Sequence, residues 1–245
     1  MAELKNIQQL PESVRARVKD YVEKFVTLHG ENIISVVVYG SVASGNFVSK
    51  VSDINIAAVL KHLDFADLKK SLQLIKEGRA HKITAPLMLT QAYIENSADV
   101  FPVEFLDLRD QHILLYGEDV LSRLNVDDRH LKLFCEEQIK GKLLRLRQAY
   151  LEVGLNTKGK EALLKDSLHS LVPIFRNLLR LVQKPAPSSK EDLLKAIGQE
   201  FGVQGDVLVA IYRDRINDEK ISGQDVDGFI EKYILVLEKL AAKVD

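Results

Sequence analysis

The stretch VVVYGSVASGNFVSKVSDINIAAVL, residues 36–60, gathers the side chains most able to do chemistry. One apolar run stops at Gly40 and Ser41; a second opens with Ser52 and Asp53, and Asn55 follows two positions on. Successive side chains of a strand point to opposite faces, so Asp53 and Asn55 share one face while Ile54 and Ile56 take the other. Read as a strand, FPVEFLDL puts Glu104 on one face with Leu106 and Leu108, and Glu104 reaches the Asp53 and Asn55 pair if the two strands are neighbours. Asp107 is the rival third ligand if that strand is flipped by one residue. Oxygen ligands of this kind suit Mg2+, which takes one or two carboxylates and completes its octahedron with waters and substrate phosphates. Beside them Gly40 lets backbone approach a phosphate, Ser41 adds a hydroxyl, and amides around Ala43 to Gly45 can point at negative oxygens. A metal next to a phosphate cradle is the equipment of phosphoryl or nucleotidyl transfer.

The elements that must position these residues fall into two halves. Residues 11–29 place Val14, Val18, Val22 and Phe25 on one helical face, and Gly30 can end that helix before the strand IISVVVY. INIAAVL is a second strand. DFADLKKSLQLIKE reads as a helix capped by Asp64, with Phe65, Leu68, Leu72 and Ile75 at helical spacing and Gly78 as its stop. KITAPLMLT is a third strand, which Pro86 assigns to an edge or a bulge, and FPVEFLDL is the fourth. After about Asn125 strand signals cease, and the spacing predicts helices over 127–153, 160–183, 189–201, 206–217 and 225–243. Pro173 should kink the second of these, and Ser188 or Ser189 should cap the third.

The totals set the limits. A chain of 245 residues with 46% hydrophobic content can bury a core in two domains of ordinary size. A net charge of -1 gives no bulk attraction to nucleic acid or to an anionic membrane. A single cysteine, Cys135, excludes an internal disulfide framework and a Cys-based zinc cluster, and fits a reducing compartment. With no apolar segment of about eighteen residues, the expected setting is the cytoplasm without a membrane partner. The six histidines show no paired metal spacing, and no Walker loop, dinucleotide fingerprint or Gly-x-Ser-x-Gly elbow is present.

At VVVYGS, VASG and SDINIAAVL the sequence resembles the polymerase beta-like nucleotidyltransferase superfamily, especially its small bacterial members such as the aminoglycoside nucleotidyltransferases. That family's pattern is an apolar strand ending in Gly-Ser, a short helix, a strand carrying Asp-x-Asp or Asp-x-Glu, and a third carboxylate on a later strand. FPVEFLDLRDQHILLYGEDVL resembles the later strand and its continuation, so the likeness spans roughly residues 33–121. It implies an α/β (α+β) nucleotidyltransferase-like domain with a mixed sheet over residues 1–125, followed by an all-α helical bundle domain over 126–245. It further implies that Gly40 and Ser41 bind the nucleotide and that Asp53 and Glu104 are catalytic carboxylates. Asp53, Asn55 and Glu104 would then hold Mg2+ arriving with a nucleoside triphosphate, ATP being the expected one. Asn55 stands where the family has its second carboxylate, which removes one negative charge and weakens the site toward metal alone.

Two functions compete on these residues. One is Mg2+-dependent transfer of a nucleoside monophosphate to a hydroxyl of an unknown acceptor, a small molecule or a protein. The other is a nucleotide-binding regulatory or protein-interaction protein that keeps the fold without turnover, a reading favoured by Asn55. A homodimer is compatible with either. Lys50 is a point charge able to reach a phosphate, Lys140, Lys142, Arg145 and Arg147 read as a solvated helix face, and Glu136, Glu137, Glu161 and Asp166 are unranked as general bases.

Overall fold

The computed structural model describes residues 3–45, 47, 48, 52–187, 189–216, 221 and 225–245. Lys50 and Ser188 lie outside these residues. The chain divides into two compact units, Met1–Val126 and Asp127–Asp245.

The first unit is built on a four-stranded sheet of β1 (Ile33–Tyr39), β2 (Asn55–Leu60), β3 (Leu87–Thr90) and β4 (His112–Gly117), in the spatial order β3-β2-β1-β4. β1 pairs antiparallel with both β2 and β4, while β2 and β3 run parallel, so the sheet is mixed. Among the described residues four α-helices accompany it: α1 (Glu12–His29), α2 (Phe65–Arg79), α3 (Gln91–Ser97) and α4 (Pro102–Asp110). α1 lays Val14, Val18, Val22 and Phe25 into a core completed by Val36 and Val38 of β1, Ile54, Ile56 and Ala58 along the second strand, and Leu115 of β4. β3 is an edge strand that begins one residue after Pro86, as the missing amide of proline requires.

Two expectations fail here, for physical reasons. Residues 102–110 form α4 and not the fourth strand, so neither Glu104 nor Asp107 belongs to the sheet. A short apolar run cannot be assigned by periodicity alone, and Pro102 at the first helical position is a helix-start signal. The fourth strand is the next segment, HILLYG, and it lies beside β1, not beside β2.

Gly78 is the second failure: it sits inside α2 and does not stop it. A Cβ there would come within 2.6 Å of the Tyr21 ring, so this glycine allows α1 and α2 to approach closely. α2 is also turned so that Asp67, Ser71 and Leu74 are buried, while Phe65, Leu68 and Leu72 are exposed. Asp64 caps it through a capping box, its side chain accepting from Asp67 N at 2.9 Å while Asp67 Oδ2 accepts from Asp64 N at 3.2 Å.

The second unit holds α5 (Asp128–Val153), α6 (Thr157–Leu181), α7 (Lys190–Phe201), α8 (Gly205–Arg215) and α9 (Val226–Val244). Three of these starts are marked by chemistry the sequence carries: Asp127, Asn156 and Ser189 accept hydrogen bonds from the first turns of α5, α6 and α7. α6 runs on through Pro173. Tyr233 of α9 is fully buried with its hydroxyl 3.2 Å from Ser167 Oγ, and Lys160 of α6 meets Asp227 of α9 at 2.7 Å. None of the described helices is long and apolar enough to cross a membrane.

Candidate functional site

The end of β1 and the start of β2 meet because the two strands are antiparallel, with Tyr39 opposite Asn55. Chain reversal then begins at Gly40, whose φ of 70° lies in the region that disfavours every other residue type. A single helical turn follows, closed by Ser44 N donating to Gly40 O at 2.9 Å, and it presents Ser41 half-buried above the strand end while Val42 anchors it in the core. Ser52 steadies the return, its hydroxyl accepting from Val48 N at 3.0 Å. Asp53 emerges exposed and Asn55 half-buried on the same side of the chain. Gly40, Ser41, Asp53 and Asn55 therefore lie at one end of the sheet, and a Cβ on Gly40 would stand 3.0 Å from Asn55 Nδ2.

One lone pair of the Asn55 amide oxygen is already engaged. Residues 82–84 run alongside residue 54, Ile54 N donating to Lys82 O at 2.8 Å and Thr84 N to Ile54 O at 3.0 Å. This pairing brings the Thr84 hydroxyl within 3.1 Å of Asn55 Oδ1 and 3.3 Å of Ile54 O. The side chain next to Asn55 on the neighbouring strand segment is thus a neutral hydroxyl, and the sheet supplies it from a residue the sequence reading passed over. Thr84 could have been noticed only by knowing that the KITAPLMLT segment, and not FPVEFLDL, lies against the Asp53 strand.

Glu104 is placed elsewhere. It stands in the first turn of α4 and lines a cavity of about 490 Å³ with Leu63, Leu87, Leu89, Tyr93 and Phe105. Asp107 is on the same helix. Among the described residues no group of three or more His, Cys, Asp or Glu side chains could hold a metal ion. Asp53 and Asn55 offer one carboxylate and one amide oxygen. That pair fits a Mg2+ that arrives already bound to phosphates, because such an ion needs only one or two protein oxygens.

A second constellation has the residue types of a nucleophilic triad. His29 Nε2 lies 2.9 Å from Ser71 Oγ, and His29 Nδ1 lies 3.8 Å from Asp67 Oδ1. All three residues are buried, with exposures of 5%, 0% and 4% for His29, Ser71 and Asp67, so no substrate reaches them. Ser71 Oγ donates to Asp67 O at 2.8 Å, which leaves the imidazole to donate through Nε2 and Nδ1 without a partner. Desolvation, helped by Lys70 and opposed by Asp67, lowers the His29 pKa, while the Lys70 ammonium hydrogen-bonded to Asp67 holds that carboxyl below its ordinary range. The cluster joins α1 to α2.

In the second unit, Lys140 pairs with Glu136 and Asp245, Arg147 with Glu238, and Asp166 with Arg215 at 3.0 Å, the pattern of solvated helix faces.

No protein-family model and no curated protein matches the sequence. Among solved structures the chain is similar to spectinomycin adenyltransferase AAD(9) from Enterococcus faecialis, a structure with ATP and spectinomycin, at a TM-score of 0.52 and 12% identity over 91% of this chain and 99% of that one. A nucleotidyltransferase-like protein from Exiguobacterium sibiricum is similar at a TM-score of 0.44 and 10% identity, over 94% of this chain and 74% of that one. The likeness extends over nearly the whole of both chains, and this chain, with its mixed sheet and helical second unit, has a nucleotidyltransferase-like fold shared with that solved adenyltransferase.

Proposed function

We propose that this protein binds a nucleoside triphosphate, ATP in the first instance, as its Mg2+ complex at the Gly40–Ser41 turn, and that it uses the bound nucleotide for regulation or interaction, not for transfer. The observation that carries this reading is the Thr84 to Asn55 hydrogen bond of 3.1 Å, which pairs two neutral groups where metal-assisted transfer needs charge. In this reading Gly40 and the amides after it receive the phosphates, Ser41 donates its hydroxyl, and Asp53 holds the metal together with phosphate oxygens. When bound, the ion neutralises phosphate charge. With Asp53 as the one carboxylate of this group, a second ion to activate an attacking hydroxyl has no anionic seat among the described residues.

Calorimetric titration of the full chain with ATP, with and without Mg2+, tests the site. Binding should require Mg2+ and fall at least about tenfold in Asp53→Ala, a loss of about 1.4 kcal/mol; unchanged affinity in that variant would sink the site. Pyrophosphate release separates the two functions. The parent should release none above background, and release that disappears in Asp53→Ala would establish a transferase and reject the regulatory reading.

A further inference from the structure

Glu104 carries a charge that the fold does not use. Its carboxylate is exposed in the first turn of α4 and, among the described residues, has no hydrogen-bond or ion-pair partner. A carboxylate there complements the helix dipole, which accounts for the charge but not for its surroundings. Those surroundings are apolar. The cavity of about 490 Å³ that Glu104 edges is walled by Leu87 and Leu89 of β3, by Tyr93 of α3, and by Phe101 and Phe105, whose rings meet edge-on at 6.4 Å. Leu87, Tyr93 and Phe101 remain 40%, 49% and 39% exposed, although each is large enough to be worth burying.

A concave site of this size, apolar with one fixed charged group, is the usual form of a small-molecule site, for which volumes run from about 300 to 1,000 Å³. The charge selects the ligand's sign. An ammonium is attracted by the carboxylate and by the faces of the three rings, and a carboxylate or phosphate is repelled by the first. We propose that this cavity binds a small hydrophobic amine, with its aromatic or alkyl body against Leu89, Tyr93 and Phe105 and its ammonium on Glu104.

The site is separate from the nucleotide turn. The cavity runs along β3 from Leu87 to Thr90 and on to Leu63, and its lining includes none of Gly40, Ser41, Asp53, Asn55 and Thr84. The proposal therefore stands whether or not the chain binds ATP.

Ligand-observed NMR on the full chain, with a panel of phenylalkyl and straight-chain alkyl amines, tests it. Phenethylamine should bind saturably, and hydrocinnamate, of similar shape and opposite charge, at least about tenfold more weakly. Glu104→Gln keeps the shape and should weaken the amine at least about tenfold while leaving hydrocinnamate no weaker. Leu87→Trp, at the exposed rim, should obstruct the cavity and reduce amine binding without touching the charge. Saturating MgATP should not compete. Failure of the whole panel to bind, equal binding of the two charge types, or undiminished amine binding in Glu104→Gln would overturn the proposal.

Discussion

The His29–Ser71–Asp67 cluster and the Asp53–Asn55–Thr84 cluster both belong to the first unit and both pair a hydroxyl with a nitrogen-bearing side chain and a carboxylate, yet water reaches only the second. In the first, burial makes each polar atom depend on its neighbours: Ser71 is spent on a backbone carbonyl, and desolvation disfavours the charged form of His29. In the second, Asp53 is exposed and the half-buried Asn55 and Thr84 hold each other in place at a strand end. The residue types of a catalytic triad are thus a brace between two helices, and the plainer set is the one open to a ligand. Accessibility, and not residue type, separates a structural polar network from a site.

This contrast can be broken by substitution. Asp67→Ala removes the α2 capping box and leaves His29 and Lys70 without their acid, and it should cost about 2–3 kcal/mol in urea unfolding while nucleotide affinity of the folded fraction stays unchanged. Asp53→Ala should do the reverse: stability within about 0.5 kcal/mol of the parent, with the loss of Mg2+-dependent ATP binding given above. If both variants lose stability equally, the two clusters are the same kind of object and the comparison fails. Asn55→Asp sharpens it further. Thr84 can donate to a carboxylate as well as to an amide, so the variant should fold and bind MgATP several-fold tighter, read by the same titration. Appearance of pyrophosphate release in Asn55→Asp, from a silent parent, would mark a retired enzyme.

The smallest effect is in pH. Because the folded pKa of His29 lies below its unfolded value of 6.5, the unfolded chain binds a proton that the folded chain refuses. That contribution is fully present above the unfolded pKa and is lost as pH falls from there through the folded pKa. Asp67 adds a second loss at lower pH, as its own carboxyl is depressed below 3.8 in the fold. Urea midpoints should therefore decline on acidification from neutral pH, and His29→Gln should flatten the first part of that decline. An unchanged slope in the variant would remove His29 from the account.

The second unit was the more legible half of the chain. Its helices carry amphipathic stripes long enough to fix the period, and residues such as Asp127, Asn156 and Ser189 mark their starts with side chains that satisfy the first-turn amides. In the first unit β1, β2 and the Asp64 cap were equally readable. The stretch around Glu104 was not. FPVEFLDL is too short for its period to decide, and burial of Val103, Phe105, Leu106 and Leu108 on a helix gives the same letters as burial on a strand.

What the sequence by itself determined was local: where the first two strands and most of the long helices lie, the turn that a glycine at position 40 permits, and the presence of an amide at 55 where a carboxylate was expected. What only the tertiary structure decided was adjacency. Strand neighbours are chosen by long-range pairing that leaves no short-range signal, so it took the sheet order to put Thr84 against Asn55 and to send Glu104 to an apolar cavity beside β3. The orientation of α2 is of the same kind, because a helix with polar groups able to bond one another can bury Asp67 and Ser71 and leave Phe65 and Leu72 in water.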